Sequence, residues 1–142
     1  MRNNRMTHHD FQLRRIGIVR SALKDVRECP RQESENAPGA WIEIDPEYSE
    51  ALEGLEVGDE ILIMTWMHLA DRSRLKVHPR GDPKNPIKGV FGTRSPHRPN
   101  PIGLHRTRVL SVDPPRRLQV QRLAAIDNTP IVDIKSVLSG GR

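Results

Sequence analysis

Four guanidinium groups crowd one short stretch of this chain. Arg94, Arg98, Arg106 and Arg108 stand within the run from Gly89 to Arg108, among Pro96, Pro99 and Pro101. Arginine offers a planar fork of donors that matches carboxylate and phosphate oxygens. The prolines lack an N–H and bias the residues before them away from the right-handed helical region, so a helix is excluded here. Three missing ladder donors within six residues also argue against a central strand. The expectation for residues 94–104 is a stiff loop, neither helix nor strand. Preorganised groups lose little freedom on binding, so such a loop suits an anion or a nucleotide. A solvated basic loop is the plainer alternative. The Pro99-Asn100-Pro101 core and the hinges at Gly89, Gly92 and Gly103 favour the binding role.

Charge is unevenly distributed along the chain. Residues 1–71 hold 8 Lys/Arg against 14 Asp/Glu, a net of −6, whereas residues 72–142 hold 15 against 4, a net of +11. A basic half poor in acids fits a phosphate-backbone partner, against the alternative of a solvated basic face. The single cysteine, Cys29, cannot form an internal disulfide and fits a reducing cytoplasm. No apolar run reaches the roughly 20 residues of a membrane span, and the N-terminus lacks the apolar core of a secretory signal. His8 and His9 are a weak metal signal, and no metal site is expected.

These groups need a scaffold, and the pattern of the chain favours strands. Residues 1–12 read as a flexible polar arm, 13–138 as one domain and 139–142 as a tail. Strands are expected at Leu13–Arg20, Trp41–Ile44, Glu60–Met67, Leu75–Val77, Gly89–Phe91, His105–Val112, Arg117–Ile126 and Ile131–Ile134. The apolar set of Arg117–Ile126 changes phase, which implies a bulge. Tyr48, Ala51, Leu52 and Leu55 fall at helical spacing, so a short helix is expected over Pro46–Leu55. Residues 24–39 and 79–86 read as polar and tight basic loops. With few aromatics, Leu, Ile and Val must build the core. Short strands with frequent Pro and Gly punctuation and one helical pattern read as all-β and a barrel. No glycine-rich strand–helix fingerprint points to a doubly wound nucleotide fold.

Four segments, in order, resemble the TsaA-like family. They are Pro30-Arg31-Gln32, Trp66-Met67-His68-Leu69, the run Val90 to Leu104, and Asp127-Asn128-Thr129-Pro130 with Asp133-Ile134-Lys135. Gly92 stands where that family has Ala, and Asn128 where it has Gly; Asn also tolerates a left-handed turn. The resemblance implies a small antiparallel β-barrel with short helical turns, forming a cytoplasmic homodimer. It implies S-adenosylmethionine as cofactor, and methylation at N6 of threonylcarbamoyladenosine beside the anticodon of tRNA. It also implies cofactor contacts from Pro30, Arg31, Gln32, His68, Leu69, Arg94, Leu104, Asp127, Asn128, Thr129 and Pro130.

Chemistry assigns sensible roles to these groups. Asp127 can accept from the cofactor's amino group or ribose hydroxyls, and Gln32 and Asn128 can read an adenine edge. Arg31 or Arg94 can pair with the carboxylate tail or an RNA phosphate. The acceptor nitrogen is urea-like, so a general base would help it attack; His68, His97 and Asp127 are the candidates. An anticodon-loop base is already single-stranded and can splay into a pocket. Two other readings stay open: a small-molecule methyltransferase, and a module that binds S-adenosylmethionine or RNA without turnover.

Overall fold

The computed structural model describes residues 10–29 and 37–138. The Pro30–Gln32 segment, the first nine residues of the expected arm and the tail over 139–142 lie outside the described residues.

The strands are β1 (Gly17–Ser21), β2 (Ala40–Ile44), β3 (Glu60–Trp66), β4 (Lys76–Val77), β5 (Lys88–Gly89), β6 (Ile102–Asp113), β7 (Arg117–Val120) and β8 (Pro130–Ser136). Six of them close an antiparallel barrel in the order β1–β2–β7–β6–β3–β8, while β4 and β5 pair as a separate ribbon. The alternation read from sequence is the alternation of the wall. On β3, Ile61, Ile63 and Thr65 point into the barrel, and Leu62 and Met64 face outward. Val19, Ile42, Val109, Leu118 and Ile131 fill the interior from the other five strands. Each buried aliphatic side chain of this kind contributes about 1.5–3 kcal/mol. The core is aliphatic, as the scarcity of aromatics demands; Phe11 and Phe91 are exposed.

Several expectations shift. The first strand begins at Gly17 rather than Leu13: Leu13 stays exposed, and Arg15 instead forks onto the Asp45 carboxylate at 2.8 and 3.1 Å. The helix expected over Pro46–Leu55 is a 3-10 helix over Pro46–Leu52. Tyr48, Leu52 and Leu55 still pack on the core. The segment Arg117–Ile126 stays in strand only to Val120, and the ladder slips in its pairing with β6 between Val109 and Ser111. Gly89–Phe91 splits into the end of β5 and a 3-10 turn over Val90–Gly92. The loop expected over 94–104 ends at Pro101. Ile102, Gly103 and Leu104 begin β6, in register with Trp66, Thr65 and Met64, because backbone donors return once the prolines stop.

Strand direction alternates around the closed ring. The C-terminal ends of β1, β7 and β3 and the N-terminal ends of β2, β6 and β8 therefore share one rim. Three connections leave from it: residues 22–39, 67–101 and 121–129. His68, Leu69, Arg94, His97, Asp127, Asn128 and Thr129 lie in these connections and Pro130 and Leu104 near the strand ends they join, whereas Arg106 and Arg108 stand farther along β6, opposite Leu62 and Glu60.

Candidate functional site

The connection from β7 to β8 is tied to the end of β1. The Asp127 N–H donates to the Leu23 carbonyl at 2.7 Å, and the Asn128 N–H donates to the Val19 carbonyl at 2.8 Å. Asn128 takes φ +70°, the left-handed conformation its side chain tolerates. Its Oδ1 accepts from Arg20. Thr129 is buried and donates its hydroxyl to the Ile126 carbonyl at 2.8 Å. Asp127 accepts the Ser21 N–H at 2.9 Å and the Lys24 ammonium at 3.0 Å. Burial pushes its carboxyl up, but the Ser21 N–H, Lys24 and Arg20 outweigh this and hold it below the usual carboxylate range.

The next group around the rim is the end of β3 and the proline loop. The Met67 N–H donates to the Pro101 carbonyl at 2.8 Å, carrying β3 one step past its last residue. His68 and Leu69 then stand exposed in a turn closed by the Ala70 N–H and the Met67 carbonyl at 2.9 Å. Arg72 lies over the Trp66 ring, 5.1 Å from its centroid, and donates to the Pro99 carbonyl at 2.8 Å.

The motif arginines turn onto their own loop. Arg94 donates to the Leu104 carbonyl at 2.9 Å. Arg98 donates to the Thr93 carbonyl at 2.7 Å and also to that of Val90. Arg106 pairs with Glu60 at 2.8 Å, and Arg108 donates to the Gly58 carbonyl at 2.8 Å. The guanidinium forks expected to bind an external anion thus act first as staples of the loop and the barrel wall. Arg94 is exposed and keeps further donors for a ligand.

The three base candidates differ in what their lone pairs are doing. His97 Nδ1 accepts the Asp71 N–H at 3.0 Å, so its neutral ring carries the proton on Nε2 and has no second lone pair. Asp127 is engaged at both oxygens. His68 is exposed, and its ring has no hydrogen bond among the described residues.

Beside Asp127, on the outer wall of β1, β2 and β7, lies an open cleft of about 540 Å³. Register places Arg20, Trp41 and Gln119 in one row across these strands. They line the cleft with Lys24 and Asp127. Arg117 covers the Trp41 ring at 4.2 Å. Among the described residues no group of three or more His, Cys, Asp or Glu is placed to hold a metal.

The chain matches the tRNA-methyltransferase O N-terminal domain family over residues 18–140. It belongs to that family. A probable S-adenosyl-L-methionine-binding protein of Methanothermobacter thermautotrophicus is 40% identical over 130 residues, 92% of either chain. A putative S-adenosylmethionine-dependent methyltransferase, RcsF of Pseudomonas aeruginosa, is 38% identical over 126 residues, covering 84% of this chain and 52% of that one. A crystal structure of TrmO from Pseudomonas aeruginosa superposes with a TM-score of 0.72 at 32% identity, over 94% of this chain and 57% of that one. The chain therefore spans little more than half of the solved TrmO. Both the resemblance read from sequence and the small antiparallel barrel are borne out.

Within this TrmO-type barrel, two features escaped the sequence reading. The Arg20–Trp41–Gln119 row depends on strand register, which no local pattern encodes. The interior pair of His105 and Thr65, joined at 2.7 Å between Nε2 and Oγ1, is hidden in segments that read only as strands. Both residues are buried, and they lie beneath the rim beside Met67 and Gly103.

Proposed function

We propose that this TrmO-family barrel is an S-adenosylmethionine-dependent methyltransferase that N6-methylates threonylcarbamoyladenosine next to the tRNA anticodon. The observation that supports the reading is the shared rim, to which the connections over 67–101 and 121–129 carry the described segments that resemble the family. The proposal includes a cytoplasmic homodimer as the working form. Among the described residues no helix is long and apolar enough to cross a membrane.

The cleft fits the cofactor in size and chemistry. Small-molecule sites typically span roughly 300–1,000 Å³, and this one offers an aromatic ring, an amide, a carboxylate and two cations. Asp127 keeps acceptor capacity for an amino or hydroxyl group, since a carboxylate has about four lone-pair positions. Gln119 can both donate to and accept from an adenine edge, and Lys24 or Arg20 can meet a carboxylate. When bound, S-adenosylmethionine supplies an electrophilic methyl group. The chain's own task is to hold the acceptor nitrogen in line at about 3–3.5 Å and to receive its proton. His68, with its free lone pair at the rim, takes that proton.

A second reading, a binding module without turnover, draws support from the lone pairs already engaged at Asp127 and His97. One assay separates the readings. Label from methyl-labelled cofactor should enter tRNA carrying threonylcarbamoyladenosine and not tRNA lacking it. Cofactor binding without transfer would favour the binding module, and transfer only to small acceptors would favour a small-molecule enzyme.

A further inference from the structure

We propose that residues 74–91, the β4–β5 ribbon and the turn after it, form an RNA-docking arm that grips phosphates with lysines and stacks a base on Phe91. This rests on the RNA reading above and adds where on the molecule the RNA lies.

Charge is the first observation. The segment carries Arg74, Lys76, Arg80, Lys84 and Lys88 against a single acid, Asp82. The Asp82 carboxylate accepts the backbone N–H of Lys84 at 2.9 Å. Lys76, Lys84 and Lys88 are exposed and form no ion pair among the described residues. On the barrel wall several cations are paired instead: Arg15 with Asp45, Arg20 with Glu43, Arg106 with Glu60 and Lys24 with Asp127.

Phe91 is the second observation. A phenylalanine is ordinarily a core residue, yet this one is 85% exposed. Its backbone is nevertheless fixed. Val90 beneath it is buried, the Thr93 N–H donates to the Val90 carbonyl at 3.1 Å, and Arg98 clamps the Val90 and Thr93 carbonyls. Space around the adjoining Gly92 is open, since an added Cβ would meet nothing within 4 Å. The ring is thus presented to solvent on a rigid turn.

The ribbon tip is also ordered. His78 Nδ1 lies 2.8 Å from the Asn85 carbonyl, and the Asn85 side-chain amide donates to the Pro79 carbonyl at 2.7 Å. An ordered cationic ribbon with an exposed aromatic suits an unpaired nucleic-acid strand: phosphates are neutralised and a base stacks, with little ordering entropy to overcome. The arm belongs to the 67–101 connection and so springs from the rim that carries the site. His68 belongs to the same connection, six residues before the arm begins.

The test measures affinity for an anticodon stem-loop RNA as a function of salt. The Lys76→Gln, Lys84→Gln, Lys88→Gln triple variant should lower the slope of log K against log salt by about 2. Phe91→Ala should weaken binding about tenfold with the slope unchanged, and Phe91→Trp should restore it. Thermal midpoints should stay at the wild-type value, because these side chains are exposed. If the triple variant and Phe91→Ala both bind like wild type, the RNA docks elsewhere and the arm proposal fails while the RNA reading stands. A wild-type chain without RNA affinity at low salt overturns both. Binding to vesicles of anionic phospholipid in place of RNA would also overturn the assignment.

Discussion

Asp127 and Ser21 lie 106 residues apart in the chain and are joined by a 2.9 Å hydrogen bond from the Ser21 N–H to Asp127 Oδ1. This bond fastens the β7–β8 connection to the end of β1, and so fixes one wall of the cleft. Lys24, at 3.0 Å from the other carboxylate oxygen, adds an exposed ion pair.

The two contacts predict different costs. Asp127→Ala leaves a partly buried backbone N–H without its acceptor and should destabilise the fold by about 1–3 kcal/mol. Asp127→Asn keeps an acceptor oxygen and loses mainly the exposed ion pair, less than about 1 kcal/mol. Chemical denaturation of both variants checks the order. Equal losses would mean that the Lys24 pair, not the Ser21 tie, is what matters.

Acid should weaken this fold through identifiable carboxylates. Arg15 holds the Asp45 carboxyl below its usual range by a side-chain hydrogen bond, and Arg106 does the same for Glu60. Asp127 is held low despite its burial. Each binds a proton more weakly in the folded than in the unfolded chain. Their contribution is complete above the unfolded carboxylate pKa of about 4 and is lost as pH falls through the lower folded values. The thermal midpoint should therefore fall in acid, and Asp45→Asn should fall less steeply than wild type. Parallel curves would remove Asp45 from this account.

Gly103 is expected to be required for folding before it is required for binding. A Cβ there would stand 2.5 Å from Thr65 Oγ1, 2.8 Å from His105 Nε2 and 3.0 Å from Met67 Sδ. From sequence, Gly103 reads as a hinge of a binding loop. The structure shows close approach of the barrel's own interior. Gly103→Val should lower stability by about 1–3 kcal/mol, as overpacking does. A variant with wild-type stability and impaired cofactor binding would restore the binding-loop reading.

The rim histidines should separate by readout. His68→Gln should leave the thermal midpoint unchanged and reduce methyl transfer by about 10²–10⁴-fold, the usual span for loss of a general base. His97→Ala removes the acceptor of the Asp71 N–H and should cost about 0.5–1.5 kcal/mol of stability. Full activity in His68→Gln would send the search for the base to residues outside this rim.

Local patterns were enough to find most of the wall. The apolar run Glu60–Met67 is β3 to within one residue, and Trp41–Ile44 is β2 less its first residue. Period-two burial is written directly in such segments. What was not legible depends on distant partners. Nothing beside Ile102 announces that it will pair with Trp66 immediately after three prolines. Nor could the motif show that Arg94 faces a carbonyl at the start of β6 and Arg98 carbonyls of the turn before it, because an exposed fork and a stapling fork have the same sequence. The left-handed turn at Asn128 was readable, since few residue types accept it. The cleft was not, because Arg20, Trp41 and Gln119 meet only through register.

The chain enters the barrel at Gly17 and leaves it at Ser136, both on the rim away from the three long connections. The tight turn at Pro114–Arg116 lies on that same rim. A bead, sensor chip or fluorescent label coupled ahead of β1, beyond β8 or in this turn would therefore hold the molecule with its cleft, His68 and the basic ribbon facing solution. Immobilised assays can use such anchoring points without masking the surfaces whose affinities they measure.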